Sequence, residues 1–116
     1  MLQVYGIKNC NTVKKALDWL NEHNLPFEFH DFKKEPATEE KLLTWEKELG
    51  WQSLVNKKGT TWRKLSADEQ AAVVDAKSAN KALLANNSMI KRPVIETPKG
   101  ILLGFDETSY SEKLKA

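Results

Sequence analysis

The hydrophobic period changes twice between residues 2 and 32, and that alternation restricts the fold more than any other feature of the chain. "LQVYGI", Leu2 to Ile7, is a short apolar run rich in strand formers and reads as a buried strand. From Val13 the period lengthens: Val13, Ala16, Leu17 and Leu20 lie at i, i+3, i+4 and i+7, one face of a helix. Asn11 or Thr12 is expected to cap its start, and Asn24 fits its end. In "PFEFHDF", Pro26 to Phe32, the residues Phe27, Phe29 and Asp31 alternate with Glu28, His30 and Phe32, which reads as a second strand. Strand, helix and strand over about thirty residues make a βαβ unit, with parallel strands and a right-handed crossover.

The middle of the chain is helical. Thr38 followed by Glu39 and Glu40 predicts a helix to Leu49, stopped by Gly50, with Leu42, Trp45 and Leu49 as its stripe. "WQSLVNKKG" predicts a short helix ending at Gly59. Ser66 and Glu69 have capping-box spacing for a helix over Ala67–Asp75, and Ser78 is expected to start another that ends near Asn86–Asn87. Then strand character returns. Val94–Ile95 and Ile101–Phe105 flank the turn "TPKG", an antiparallel hairpin. Ser109 and Glu112 have capping-box spacing for a last helix carrying Tyr110 and Leu114 on one face. The order is βαβ, a helical block at about residues 37–88, a hairpin and a helix. An α/β thioredoxin-like fold with a four-stranded mixed sheet, βαβ then ββα, accommodates it with the helical block as an insertion.

At 116 residues the chain is expected to be a single domain, 1–116. No apolar run reaches the ~18–20 residues of a membrane span, and the N-terminus lacks the pattern of a signal peptide. A cytoplasmic protein without membrane contact is expected, and one cysteine, unable to form an internal disulfide, fits a reducing compartment. The net charge of +2 is too small to argue for direct nucleic-acid binding. His23 and His30 have no metal-ligand spacing with each other or with Cys10, so no metal is expected. No apolar helix face is left over in this reading, which favours a monomer.

That cysteine, Cys10, falls in the loop between the first strand and the first helix. Reactive groups gather beyond the carboxyl ends of parallel strands in open α/β units, and a helix N-terminus stabilises a thiolate, the nucleophilic form. An unperturbed thiol has a pKa of ~8.5; ionising most of it at neutral pH takes roughly two units, or about 2.7 kcal/mol. A helix end supplies about 0.3–1 kcal/mol. A hydrogen bond to a charged group, roughly 1.5–3 kcal/mol, closes the gap. Lys8 is near in sequence. Arg92 is the other candidate: Pro93 stands just before the third strand in "KRPV", and thioredoxin-like folds keep a cis-proline there, facing the thiol. In that arrangement Arg92 points toward Cys10 and either stabilises a thiolate or grips an anion. Asn11 and Thr12 are candidates for N–H and hydroxyl contacts at the helix start. Lys57, Lys58, Arg63 and Lys64 in "NKKGTTWRKL" form either a solvated face or an anion-binding surface.

"YGIKNCNTVKKA", "LGW", "LVNKKGTTWRKL", "IKRPVI" and "LLGF" occur here in the order found in the arsenate reductase (ArsC)/Spx family. The sequence resembles that family over nearly its whole length, and most closely its YffB-like branch. The resemblance implies a thioredoxin-like fold with a helical insertion, and thiol redox chemistry at Cys10. Arsenate reductases of this kind form an arsenate adduct on one cysteine, which glutathione and glutaredoxin resolve, and three arginines support the anion. One of these matches Arg92. The other two positions fall on Asn56 and near Phe105, neither of them basic, which argues against arsenate; Lys58 or Arg63 would have to substitute. Many Spx-type regulators carry a C-x-x-C switch and bind RNA polymerase, but here Val13 takes the place of the second cysteine. The YffB-like branch implies a glutathione-dependent thiol reductase. Glutathione is then a co-substrate rather than a bound cofactor, and the other partner is a small or protein disulfide.

Overall fold

The first apolar run forms β1 (Leu2–Gly6), in which Leu2, Val4 and Gly6 are buried and Gln3 and Tyr5 half-buried. This computed structural model describes residues 1–115. Helix α1 (Asn11–Glu22) follows, and the second run forms β2 (Phe27–Asp31). β1 and β2 are parallel, from Leu2 beside Phe27 to Gly6 beside Asp31. After the helical block come β3 (Val94–Thr97) and β4 (Gly100–Leu103). β3 is antiparallel to both β1 and β4, which gives one mixed sheet of order β2-β1-β3-β4. Gly100, at φ +127°, takes the turn conformation that a side chain rarely adopts. This is the thioredoxin-like fold.

Two compact units make up the chain. The first comprises residues 1–35 and 92–116. Its sheet packs through Leu2, Val4, Ile95 and Leu102 against Ala16, Trp19 and Leu20 of α1 and Tyr110 of α7 (Glu107–Leu114). Fully burying one side chain of leucine or isoleucine size contributes about 1.5–3 kcal/mol, so this cluster holds α1 and α7 on the sheet. Trp19 is buried where the sequence pattern put Leu17, which is only partly covered. The Tyr110 ring meets Trp19 and Phe105 edge-on, with centroids 5.4 and 5.1 Å away, and its hydroxyl donates to the Gly104 carbonyl. Asp106, not Ser109, caps α7: its side chain accepts from the Thr108 N–H at 3.0 Å.

The second unit, residues 36–91, is helical. It contains α2 (Glu39–Leu49), α3 (Trp51–Leu54), α4 (Thr60–Arg63), α5 (Ala67–Ala71), α6 (Ala76–Ala85) and a 3-10 turn at Asn87–Met89. Leu42, Trp45, Leu54, Ala79, Leu83, Met89 and Ile90 are buried. Four elements differ from the sequence expectation, each for a local reason. α3 stops at Leu54 instead of running to Gly59, because its following backbone groups are taken elsewhere. The Leu54 carbonyl accepts from Lys91 N–H at 2.7 Å, and Asn56 N–H donates to Met89 at 2.8 Å. α5 ends at Ala71 because Asp75 turns extended to cap α6. In the resulting capping box Ser78 is the third helical residue, not the start. α4, one turn within the cationic run, is too short to carry a periodic signature that would predict it.

Candidate active site

The site begins with a close approach. β1 ends at Gly6, where an added Cβ would lie 2.9 Å from Cγ2 of Val13, a fully buried side chain on the first turn of α1. Glycine lets the strand end and the helix start pack directly, and the short loop 7–10 closes between them. Cys10 ends that loop. Its backbone is extended, at φ −108° and ψ 124°, and it is itself the N-cap residue of α1. Asn11 and Thr12, the expected caps, are the first residues inside the helix.

The position puts a half-buried thiol against the free N–H groups of a helix start. The sulfur makes no close side-chain capping bond. Burial, the largest single influence, pushes the thiol up. The polar hydrogens of the Val13 backbone, the Arg92 side chain and the Thr12 backbone pull it down, and so does the charge of Arg92. Together they outweigh burial and hold Cys10 below the ordinary thiol range. Thr12 therefore acts through its main chain; its side chain is exposed.

Arg92 is half-buried at the entry to β3. The Arg92–Pro93 peptide bond is cis. Pro93 is buried, and its carbonyl accepts from Gly104 N–H at 2.9 Å, which ties the turn before β3 to the end of β4. The structure thus joins Cys10, Thr12 and Arg92, from two ends of the chain's first unit. Lys8 and Asn11 are exposed and are not among the groups that shift the thiol. Asn56, Lys58 and Arg63 lie in the second unit, where the Asn56 side-chain oxygen accepts from Lys58 N–H at 3.2 Å. The Val13 N–H is the group acting on the thiol that the sequence reading does not name. Its signal was present, since Val13 is the third residue after an N-cap, the position whose N–H is left unpaired in a helix start. Among the described residues no group of three or more His, Cys, Asp or Glu side chains is arranged to hold a metal.

Comparisons with known proteins agree with this architecture. The YffB (PA3664) protein is 43% identical, with a TM-score of 0.93 over 98% of this chain and 99% of that one. An uncharacterized protein of Haemophilus influenzae is 45% identical over 95% of this chain and 96% of its own length. A global transcriptional regulator Spx of Streptococcus agalactiae is 27% identical over 92% of this chain and 78% of its own. Residues 5–113, which include Cys10, the cis-proline and the whole sheet from Tyr5 onward, match the ArsC family, and the chain belongs to that family, on its YffB-like branch.

Proposed function

We propose that the protein is a thiol oxidoreductase that works through Cys10 with glutathione as its reductant. The observation that carries this reading is the thiol at the head of α1 with the Arg92 side chain directed at it, an arrangement that favours the nucleophilic thiolate. The Cys10 thiolate attacks one sulfur of a disulfide. A Cys10–substrate bond forms, the old sulfur–sulfur bond breaks, and the other half leaves as a thiolate that takes a proton from water. A glutathione thiolate then attacks the mixed disulfide and restores Cys10. A second glutathione takes the first off the substrate, leaving oxidised glutathione. A single cysteine requires this external thiol, because Val13 occupies the place where a resolving cysteine would stand. Arg92 and Lys8 supply positive charge for the glutathione carboxylates.

The resemblance puts the two other arginine positions on Asn56 and near Phe105, neither of them basic, which favours a disulfide over arsenate, since one guanidinium holds a tetrahedral oxyanion poorly. The test is glutathione-dependent reduction of a small disulfide. Cys10→Ser is expected to abolish turnover while circular dichroism and thermal unfolding stay as in the parent. Turnover that persists in that variant removes the proposal.

A further inference from the structure

The second unit carries a surface groove of about 490 Å³ between α2 and α6. Its apolar lining is Leu43 from α2 with Leu84 and Ala76 from α6. Leu43 is 45% exposed and Leu84 39%. The other large apolar side chains exposed to this degree, Met1 at 79% and Val74 at 68%, are not in the groove. Two leucines from different helices therefore open onto one depression, contrary to the sequence expectation that no apolar helix face is left over. Isolated exposed leucines need no explanation; here two from different helices converge on one depression.

The rim is charged unequally. Lys77 and Lys81, one helical turn apart on α6, are both exposed, while Glu39 is the only carboxylate in the lining. Lys81 has no ion-pair partner among the described residues; Lys77 makes no close ion pair, but its charge acts on the Asp75 carboxylate, which lies outside the lining. Asn80 lies between them, 5% exposed, and its side-chain oxygen has no donor among the described residues. The occupant these features fit has apolar side chains for the leucines and carboxylates for the lysines. We infer that the α2–α6 groove docks an acidic amphipathic helix of a partner protein. The concave shape excludes a planar lipid surface, and nucleic acid offers no aliphatic side chains to cover the leucines. A second copy of this chain would bring its own Lys77 and Lys81 against the same rim, so charge complementarity disfavours it.

The probe is a synthetic helical peptide of about four turns, with leucines at i, i+3, i+4 and i+7 flanked by glutamates. Its partner is the full-length protein labelled with nitrogen-15. Saturable shifts are expected at Leu43, Lys77, Lys81, Leu84 and the Asn80 side-chain amide. Charge reversal, Lys77→Glu with Lys81→Glu, is expected to weaken binding about tenfold, and a peptide with lysines in place of the glutamates should recover it. Both lysines are exposed, so the variant keeps its fold, which the unperturbed remainder of the spectrum verifies. Absence of shifts, shifts outside the groove, or equal binding of the lysine peptide to the parent overturns the inference. So does concentration-dependent broadening at these residues without peptide, which assigns the face to a second copy.

Discussion

Arg92 acts on Cys10 in two ways, through a side-chain hydrogen bond and through its charge, and both lower the thiol against the opposing effect of burial. Removing the guanidinium leaves burial opposed only by the two backbone N–H groups. Arg92→Leu is therefore expected to move the midpoint of pH-dependent alkylation of Cys10 upward, and Arg92→Lys, which keeps charge without the planar fork, to fall between. An unchanged midpoint in Arg92→Leu would mean that the helix start alone sets the thiol. At this scale sequence reasoning was uneven. Cys10 stood out because a lone thiol in a strand-to-helix loop is an unusual position for filler. Its link to Arg92 spans most of the chain and leaves no periodic trace, so the pointers to it were Pro93 before the third strand, read through the thioredoxin-like fold, and then the family resemblance. The Gly6–Val13 approach left no trace either; it depends on how closely a strand and a helix pack.

Elements with an uninterrupted apolar period were legible: β1, α1, β2, α2 and the β3–β4 hairpin all form where the pattern places them. The short helices were not, because one turn holds too few residues to show a period, and tertiary hydrogen bonds decide where it stops. The contact between α2 and α6 hides a further feature. Asn80 Nδ2 donates to Glu46 Oε2 at 3.4 Å, while Glu46 Oε1 and Asn80 Oδ1 are buried with no partner among the described residues. Burial raises the Glu46 carboxyl, and the Asn80 hydrogen bond only partly offsets it. A carboxyl whose folded pKa is raised stabilises the fold below its ordinary pKa, and that contribution is lost as pH rises through the folded pKa. Glu46→Gln stays neutral throughout and places an N–H donor where Glu46 has an orphan acceptor. In urea unfolding it is expected to match or exceed the parent at neutral pH, by about 1 kcal/mol. Its advantage should shrink on acidification. A Glu46→Gln variant less stable than the parent at neutral pH would show that the carboxylate is better satisfied than its geometry indicates.

Across the whole molecule, the chain leaves the sheet after β2 and returns to it at Arg92, and each of its two units has its own buried set. Sequence reasoning placed the insertion at about residues 37–88 from where strand patterns stop and resume; the helical unit runs from residue 36 to 91. In the first unit β1 and β3 are the inner strands, each paired on both sides, so their amides at Val4 and Ile95 should exchange most slowly. In the second unit the corresponding set is Leu42, Trp45 and Leu54, all fully buried. Leu83 is fully buried on α6, and Leu83→Ala should cost about 2–5 kcal/mol through lost burial and a residual cavity. If each unit opens by itself, that loss accelerates hydrogen exchange at Leu42, Trp45 and Leu54 and leaves Val4 and Ile95 near their original rates. Equal acceleration in both sets would instead make the chain one cooperative body. The first outcome is expected, because the residues that bury Val4 and Ile95 (Ala16, Trp19, Leu20, Leu102 and Tyr110) all belong to the first unit. On that basis the thiol at the head of α1 and the guanidinium before β3 keep their geometry while the helical unit opens, since both belong to the first unit.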